Sequence, residues 1–257
     1  DKRDVLNPNQ LGVKELKLET GKTAPSEIRL PFKSIKVIDI RYDTSKIGYL
    51  PYIGFLSGTN KKKIFKKMTL KDGVSNAIEN YYNEYYAGSF TQNGFELLII
   101  MKRLWVSGDV RSNSKRVELT NAAKTNDHIY CKWEYYIGKD GKYLPVKRVD
   151  SIIRAGEVFL KYEDIGFGTY ETVVEKTVSF FRNSLQGLIE FLDYSNALKQ
   201  FDNQTKKTLP EIHEFNKRMN TLPVLQDSII KKGVYLSFED FKNNRPSIVD
   251  FQEKKMR

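Results

Sequence analysis

Ile129-Tyr-Cys-Lys-Trp-Glu-Tyr-Tyr-Ile-Gly-Lys-Asp-Gly-Lys-Tyr-Leu-Pro-Val-Lys-Arg-Val-Asp-Ser-Ile-Ile153 reads as two extended runs folded back on one another. At its centre, Gly138-Lys-Asp-Gly141 carries an Asp-Gly pair, whose tolerance of positive φ suits a tight hairpin turn. The flanks, Ile129 to Ile137 and Tyr143 to Ile153, are rich in the aromatic and β-branched residues that pack well on a pleated surface. Upstream, Phe95 to Val106 is the most apolar run and predicts a buried strand. Downstream, Val158 to Tyr162 predicts a continuation of the sheet after a break at Gly156.

Working outward, Ile35 to Arg41 predicts a mostly apolar strand. Ile47 to Phe55 follows the Asp43-Thr-Ser45 turn, and its Pro51 and Gly54 suit an edge or irregular strand. A helix is predicted with Thr69 as N-cap and Asp72 completing a near capping box. Its apolar face is Val74, Ala77, Ile78, Tyr81, Tyr82 and Tyr85, and Gly88 offers a stop. These tyrosines read as core and boundary residues rather than a base-stacking platform. A second long helix is predicted from near Thr169. Its stripe is Tyr170, Val173, Val174, Thr177, Phe181, Leu185, Leu188 and Leu192, running on toward Phe201. Gly187 is a weak point in it, costing about 1 kcal/mol relative to alanine.

Residues 203–208 are polar and read as a linker. Thr208-Leu-Pro-Glu211 then restarts a short helix with Ile212, Phe215 and Met219 on one side, ended by Thr221-Leu-Pro223. Near the end, Gly233 to Ser247 packs a turn, an extended run and a helical turn capped by Ser237, with Asp240 at the third helical position and Phe238 and Phe241 inward. The order of elements predicts an α+β fold: a mixed or antiparallel sheet covered on one face by two helices, plus a mostly helical C-terminal segment. The expected division is an N-terminal arm over 1–30, an α+β domain over 31–202 and a helical appendage over 203–257.

Composition narrows the functional classes. Of 257 residues, 40% are hydrophobic and 29% charged, enough apolar surface for a core without staples. Lys102 and Arg103 interrupt the most apolar run, which falls short of the roughly 18 residues a membrane helix needs. The single cysteine, Cys131, excludes an intramolecular disulfide and thiolate-built zinc sites. A net charge of +11 suits phosphates, anionic headgroups or acidic partner surfaces.

The reaction motifs fail on spacing. Gly21-Lys-Thr23 has Leu16 where a P-loop needs glycine, and Pro25 spoils the following helix. Gly166-Phe-Gly168 has Glu171 where the third glycine of a dinucleotide fingerprint belongs, a carboxylate that would repel pyrophosphate. His128 and Cys131 are three apart in a predicted strand, so their side chains leave opposite faces and make no dyad. A metal pair would need His128 and His213 to meet, with carboxylate help. Glu163-Asp164 and Glu239-Asp240 read as solvated faces and helix N-terminal charges, and no Gly-x-Ser-x-Gly elbow occurs. No catalytic residue, cofactor or metal is therefore expected.

Two groups remain as candidate partner-binding residues. Lys61, Lys62, Lys63, Lys66 and Lys67 surround Ile64 and Phe65 and could grip phosphates or an anionic surface; the plainer reading is a solvated loop leading into the Thr69 helix. Asp39 and Arg41 share a face of the first strand, either as a structural ion pair or as polar groups set for a ligand.

Val37-Ile-Asp39-Ile-Arg41-Tyr-Asp-Thr-Ser-Lys-Ile47-Gly48 is similar to the Asp-x-Arg … Ile-Gly opening of YajG-type lipoproteins. The course over about 35–192 resembles theirs and that of ABC-transport auxiliary lipoproteins: a helix, a core strand, an Asp-Gly hairpin and a closing helix. Two departures are the missing lipid-bearing cysteine near the start and the extra segment over 203–257. Residues 233–247 resemble instead a recurrent segment of Gram-negative envelope proteins with no assigned reaction. The resemblance implies a small α+β sandwich acting as a non-enzymatic accessory or binding component, periplasmic or outer-membrane-associated. Its expected partner is an envelope protein or an anionic envelope component. The opening Asp1-Lys-Arg-Asp4, without initiator methionine, fits a mature or trimmed form: either a signal peptide has been removed or the boundary is one set for expression. A nucleic-acid-binding module using 61–67, or a glycan hydrolase with opposed carboxylates, is the alternative.

Overall fold

The computed structural model describes residues 12–19, 23–25, 27–55, 61–111, 122–161, 167–220, 223–226 and 229–252. In chain order the strands are β1 (Val13–Leu16), β2 (Phe32–Asp39), β3 (Gly48–Phe55), β4 (Lys61–Leu70), β5 (Phe95–Arg111), β6 (Ala122–Lys139), β7 (Lys142–Lys161) and β8 (Lys207–Thr208). The helices are α1 (Gly73–Tyr85), α2 (Phe167–Ser195), α3 (Leu209–Asn220), α4 (Pro223–Gln226) and α5 (Phe238–Lys242). The chain divides into two compact units, one ending at Leu209 and one beginning at Pro210.

The first unit is an α+β fold built on an eight-stranded mixed sheet in the order β1-β4-β3-β5-β6-β7-β8, with β2 also pairing β5. The hairpin is its spine. Asp140 and Gly141 take φ of 52° and 73°, the left-handed conformation that lets β6 and β7 continue the right-handed twist of the sheet. Gly156 does not end the strand: it stays paired opposite Asp127, and the irregularity beside it is a bulge on β7, where Ala155 is the extra residue between the Asp127–Gly156 and His128–Arg154 pairs. β5 pairs antiparallel along the other side of β6.

Two helices cover one face. From α1, Val74, Ile78, Tyr81 and Tyr82 are buried; from α2, Val173, Phe181, Leu185, Leu188 and Leu192. They meet Leu97, Ile99 and Met101 of β5 and Ile129, Cys131, Trp133 and Tyr135 of β6 in one cluster. Trp133 lies edge-on to Phe180 and Phe181 at 5.4 and 5.6 Å, and the Tyr82 hydroxyl donates to the Phe181 carbonyl at 3.1 Å, tying helix to helix. Burial of each such ring stabilises by roughly 1.5–3 kcal/mol.

Three local expectations are corrected. Residues 61–70 form β4, not a solvated loop, so Thr69 lies opposite Glu15 in the β1–β4 ladder and cannot cap a helix. α1 instead starts at Gly73, after Asp72 turns the chain at φ 64° without a side-chain cap bond. α2 stops at Ser195, where Asn196 takes φ 51°; Phe201 is buried separately, 5.0 Å from the Phe95 ring. At Gly187 the carbonyl accepts from Lys147 of β7 at 2.7 Å, and a Cβ there would meet only the end of that flexible side chain.

The segment expected to be a linker contains β8, whose Lys207 and Thr208 pair with Tyr143 and Lys142. In the second unit, Ser237 caps α5 by accepting from the Asp240 amide at 3.1 Å, as its spacing predicts. Asn244 (φ 50°) organises the segment: its Oδ1 accepts from the Lys231 amide and the Tyr235 hydroxyl, and its Nδ2 donates to the Ile229 carbonyl. Phe238 does not point inward but is 72% exposed, because one helical turn and the isolated Val234–Ile248 bridge enclose too little to cover it. Phe241 lies edge-on to Tyr235 at 5.4 Å.

Candidate binding groove and buried charges

Asp39 and Arg41 sit where the sheet forks. β2 runs parallel to β5 from Phe95 to Met101, and β3 takes over the same edge at Val106 and Ser107. Arg41 stands between. Its Nε and Nη2 donate to the two carboxylate oxygens of Asp39 at 2.8 Å each, and its Nη1 donates to the carbonyls of Lys46 (2.6 Å) and Leu104 (3.2 Å). The side chains are 5% and 11% exposed, so the planar fork of the guanidinium is spent on a carboxylate and on backbone that has left the ladder. The connecting turn is held by Asp43, which accepts from the Ser45 amide at 2.9 Å and pairs with Lys46. The Lys46 ammonium, then the Ser45 hydroxyl, bring the Asp43 carboxyl down to about 2. The Asp-x-Arg … Ile-Gly phrase is in this chain a device for handing one sheet edge from β2 to β3.

The basic segment lies along β4, paired antiparallel with β3 from Lys61 opposite Phe55 to Met68 opposite Gly48. The side chains of Lys61, Lys62 and Lys63 lie outside the described residues. Phe65, Lys66 and Lys67 are half-buried. Successive residues of a strand leave opposite faces, so Phe65 and Lys67 share one and Lys66 and the buried Met68 the other. Lys66 and Lys67 are thus presented on different faces. The Asp39 and Arg41 side chains bond one another, and Arg41 also donates to the carbonyls of Thr44, Lys46 and Leu104.

A concavity of about 540 Å³ lies between β1 and the first half of α2. Leu16, Val174 and Val178 give it an apolar floor; Glu15, Glu171 and Glu175 stand on its walls. Its cations are engaged within the chain: the Lys14 ammonium lies 5.4 Å from the Tyr170 ring centre, Lys17 pairs with Glu19 at 3.6 Å, and the Arg182 guanidinium lies 5.0 Å from the Tyr85 ring. Sequence reasoning placed Tyr170 and Val174 in the core stripe of α2 and missed the groove. The signal was present: Glu171 and Glu175, four apart, flank that stripe on one side of the helix.

Asp127 was also missed. It is 2% exposed and its Oδ1 has no hydrogen-bond partner among the described residues. Its neighbours across the sheet are Gly108 of β5 and Gly156 of β7, so neither offers a side-chain donor. Burial alone pushes its carboxyl up to about 7. The protonated form is favoured in the folded chain, so this group's contribution to stability is fully present below the ordinary carboxylate range and is lost as pH rises through 7. Asp127→Asn, which removes the charge at nearly constant shape, is expected to stabilise the fold by roughly 2 kcal/mol at pH 8 and by little at pH 4. Urea unfolding at both pH values checks this; equal effects at both would show that the carboxylate is not desolvated.

The Cys131 thiol, buried beneath α2, is pushed up by desolvation to about 12, which leaves it unreactive at neutral pH. His128 is half-buried beside Tyr130, and His213 belongs to the second unit. Gly166, Glu163 and Asp164 lie outside the described residues. Among the described residues no cluster of three or more His, Cys, Asp or Glu could hold a metal ion, and no helix is long and apolar enough to cross a membrane.

Comparison with family models, with curated proteins and with solved structures finds no match to this chain. The fold and groove define a class by themselves: an α+β protein whose mixed sheet carries a charged-rimmed cleft at one edge.

Proposed function

We propose that this chain is a non-enzymatic accessory protein of the Gram-negative envelope, periplasmic or outer-membrane-associated, which works by holding a partner protein or another envelope component. The observation that carries the reading is the groove between β1 and α2: a ligand-sized concavity with an apolar floor and a few charged groups at its mouth is how binding sites are commonly built. The likeness of residues 35–192 to YajG-type lipoproteins supports the compartment. Arg41 and Asp39 act through the fold, as the pair that keeps β2 and β3 on one sheet edge.

The test is photo-crosslinking in cells. A crosslinking residue in place of Glu19, at the groove, is expected to capture an envelope component, while one in place of the exposed Tyr194, near the far end of α2, captures none. Fractionation should place the protein with the envelope. A purely cytosolic protein, or crosslinks that do not depend on position, would overturn the reading.

A further inference from the structure

β1 is the terminal strand of the sheet, and among the described residues it pairs with β4 alone. The carbonyls of Gly12 and Leu16 accept from the Lys67 and Lys71 amides at 2.9 Å each, so the even-numbered residues turn their backbone groups toward β4. Alternate residues of a strand send N–H and C=O to opposite edges, so Val13, Glu15 and Lys17 turn theirs outward. An edge of this kind is a ready template for another extended chain.

Beside that edge lies the groove, whose lining mixes carboxylates with cations and whose acids gather on the helix wall. Lys14, Lys17 and Arg182 are engaged with Tyr170, Glu19 and Tyr85. Glu15, Glu171 and Glu175 have no ion pair among the described residues. Lys14 and Arg182 keep their charge over neutral rings, but Glu171 and Glu175, one turn apart and exposed on α2, make the helix wall of the groove locally acidic, and that wall favours a cation.

We propose that the outer edge of β1 docks an extended basic peptide segment of the partner protein by strand addition. The segment's backbone pairs with Val13, Glu15 and Lys17; an apolar side chain settles on Leu16, Val174 and Val178; and a Lys or Arg meets Glu171 and Glu175. Backbone pairing supplies affinity and the alternate side chains supply specificity. The inference rests on the binding-protein reading above and adds the chemistry of what is bound.

The experiment is selection of random short peptides displayed on phage against the full chain, followed by titration of the best synthetic peptide. Recovered sequences are expected to alternate apolar residues with Lys or Arg. Glu171→Lys/Glu175→Lys, both solvent-exposed changes, is expected to weaken binding by about tenfold or more. Val13→Pro removes one outward amide while keeping the β4 ladder, and is expected to weaken it comparably. Amide exchange at Glu15 and Lys17 should slow when peptide is added. Recovery of acidic or patternless peptides, or binding indifferent to the Glu171/Glu175 variant, would overturn the proposal. An envelope component still captured from the groove by that variant would remove strand addition of a basic segment and leave the accessory-protein reading standing.

Discussion

Gly48→Ala is expected to destabilise the first unit by on the order of 4 kcal/mol or more, with its urea midpoint falling accordingly. Gly48 takes φ 137°, and a Cβ there would be driven into the carbonyl of Val106 on β5. That carbonyl is backbone at the point where β3 joins the sheet, with Gly48 paired to Val106 and Met68 on either side, so it cannot swing away as a flexible side chain would. Two penalties therefore add: the strained backbone conformation and the overlap. Gly73→Ala is the control. Gly73 also has positive φ, at 80°, but its Cβ would meet nothing within 4 Å. It is expected to cost only about 1 kcal/mol, the conformational term alone. Equal losses in the two variants would show that β3 is not pinned to β5 at Gly48.

Arg41→Ala carries the second large effect, a loss of roughly 3–5 kcal/mol, the usual result of stripping one partner from a buried ion pair. The reason is what it leaves behind: Asp39 with an 11% exposed carboxylate, and the carbonyls of Lys46 and Leu104 without their guanidinium donor. Asp39→Leu/Arg41→Met, apolar at both positions, is expected to cost less than Arg41→Ala alone, because no unpaired charge stays inside. A double-mutant cycle by urea unfolding measures the coupling. Should the double variant cost as much as the two single ones summed, the pair is not the coupled clamp its geometry describes.

The elements legible in the sequence were those whose pattern is local. The Asp-Gly turn of the hairpin, the apolar run of β5 and the three-and-four spacing of α1 and α2 each follow from side chains near in sequence sharing one environment. Thr69 misled because Ser/Thr followed by an acid three residues on is a local motif, while its place in the ladder depends on β1, where it lies opposite Glu15. Lysine is depleted in strands, so the run from Lys61 read as a loop, although pairing partners outweigh propensity. The stop of α2 at Asn196 was hidden because apolar residues continue to Phe201, packed in a separate turn.

Of the site, the sequence held the residues and not their meeting. Asp39 and Arg41 were legible as a close pair, since residues two apart in extended chain share a face, although β2 ends at Asp39 and Arg41 lies just beyond it. That Arg41 also reaches Leu104, far along the chain, was not. Glu171 and Glu175 looked like solvated helix charges; only the packing of β1 near α2 makes them the wall of a cleft.

Periodicity and turn chemistry alone settled that this chain is α+β, that a long hairpin stands at its centre and that two amphipathic helices bury one face against a sheet. Tertiary structure decided the strand order, the sharing of the β5 edge by β2 and β3, the place of β1 at the end of that order and the burial of Asp127 between two glycines. The physical reason is range. A side chain's periodic environment is written within a few residues, whereas a backbone edge, a cavity or an unpaired carboxylate exists only once segments distant in sequence have come together.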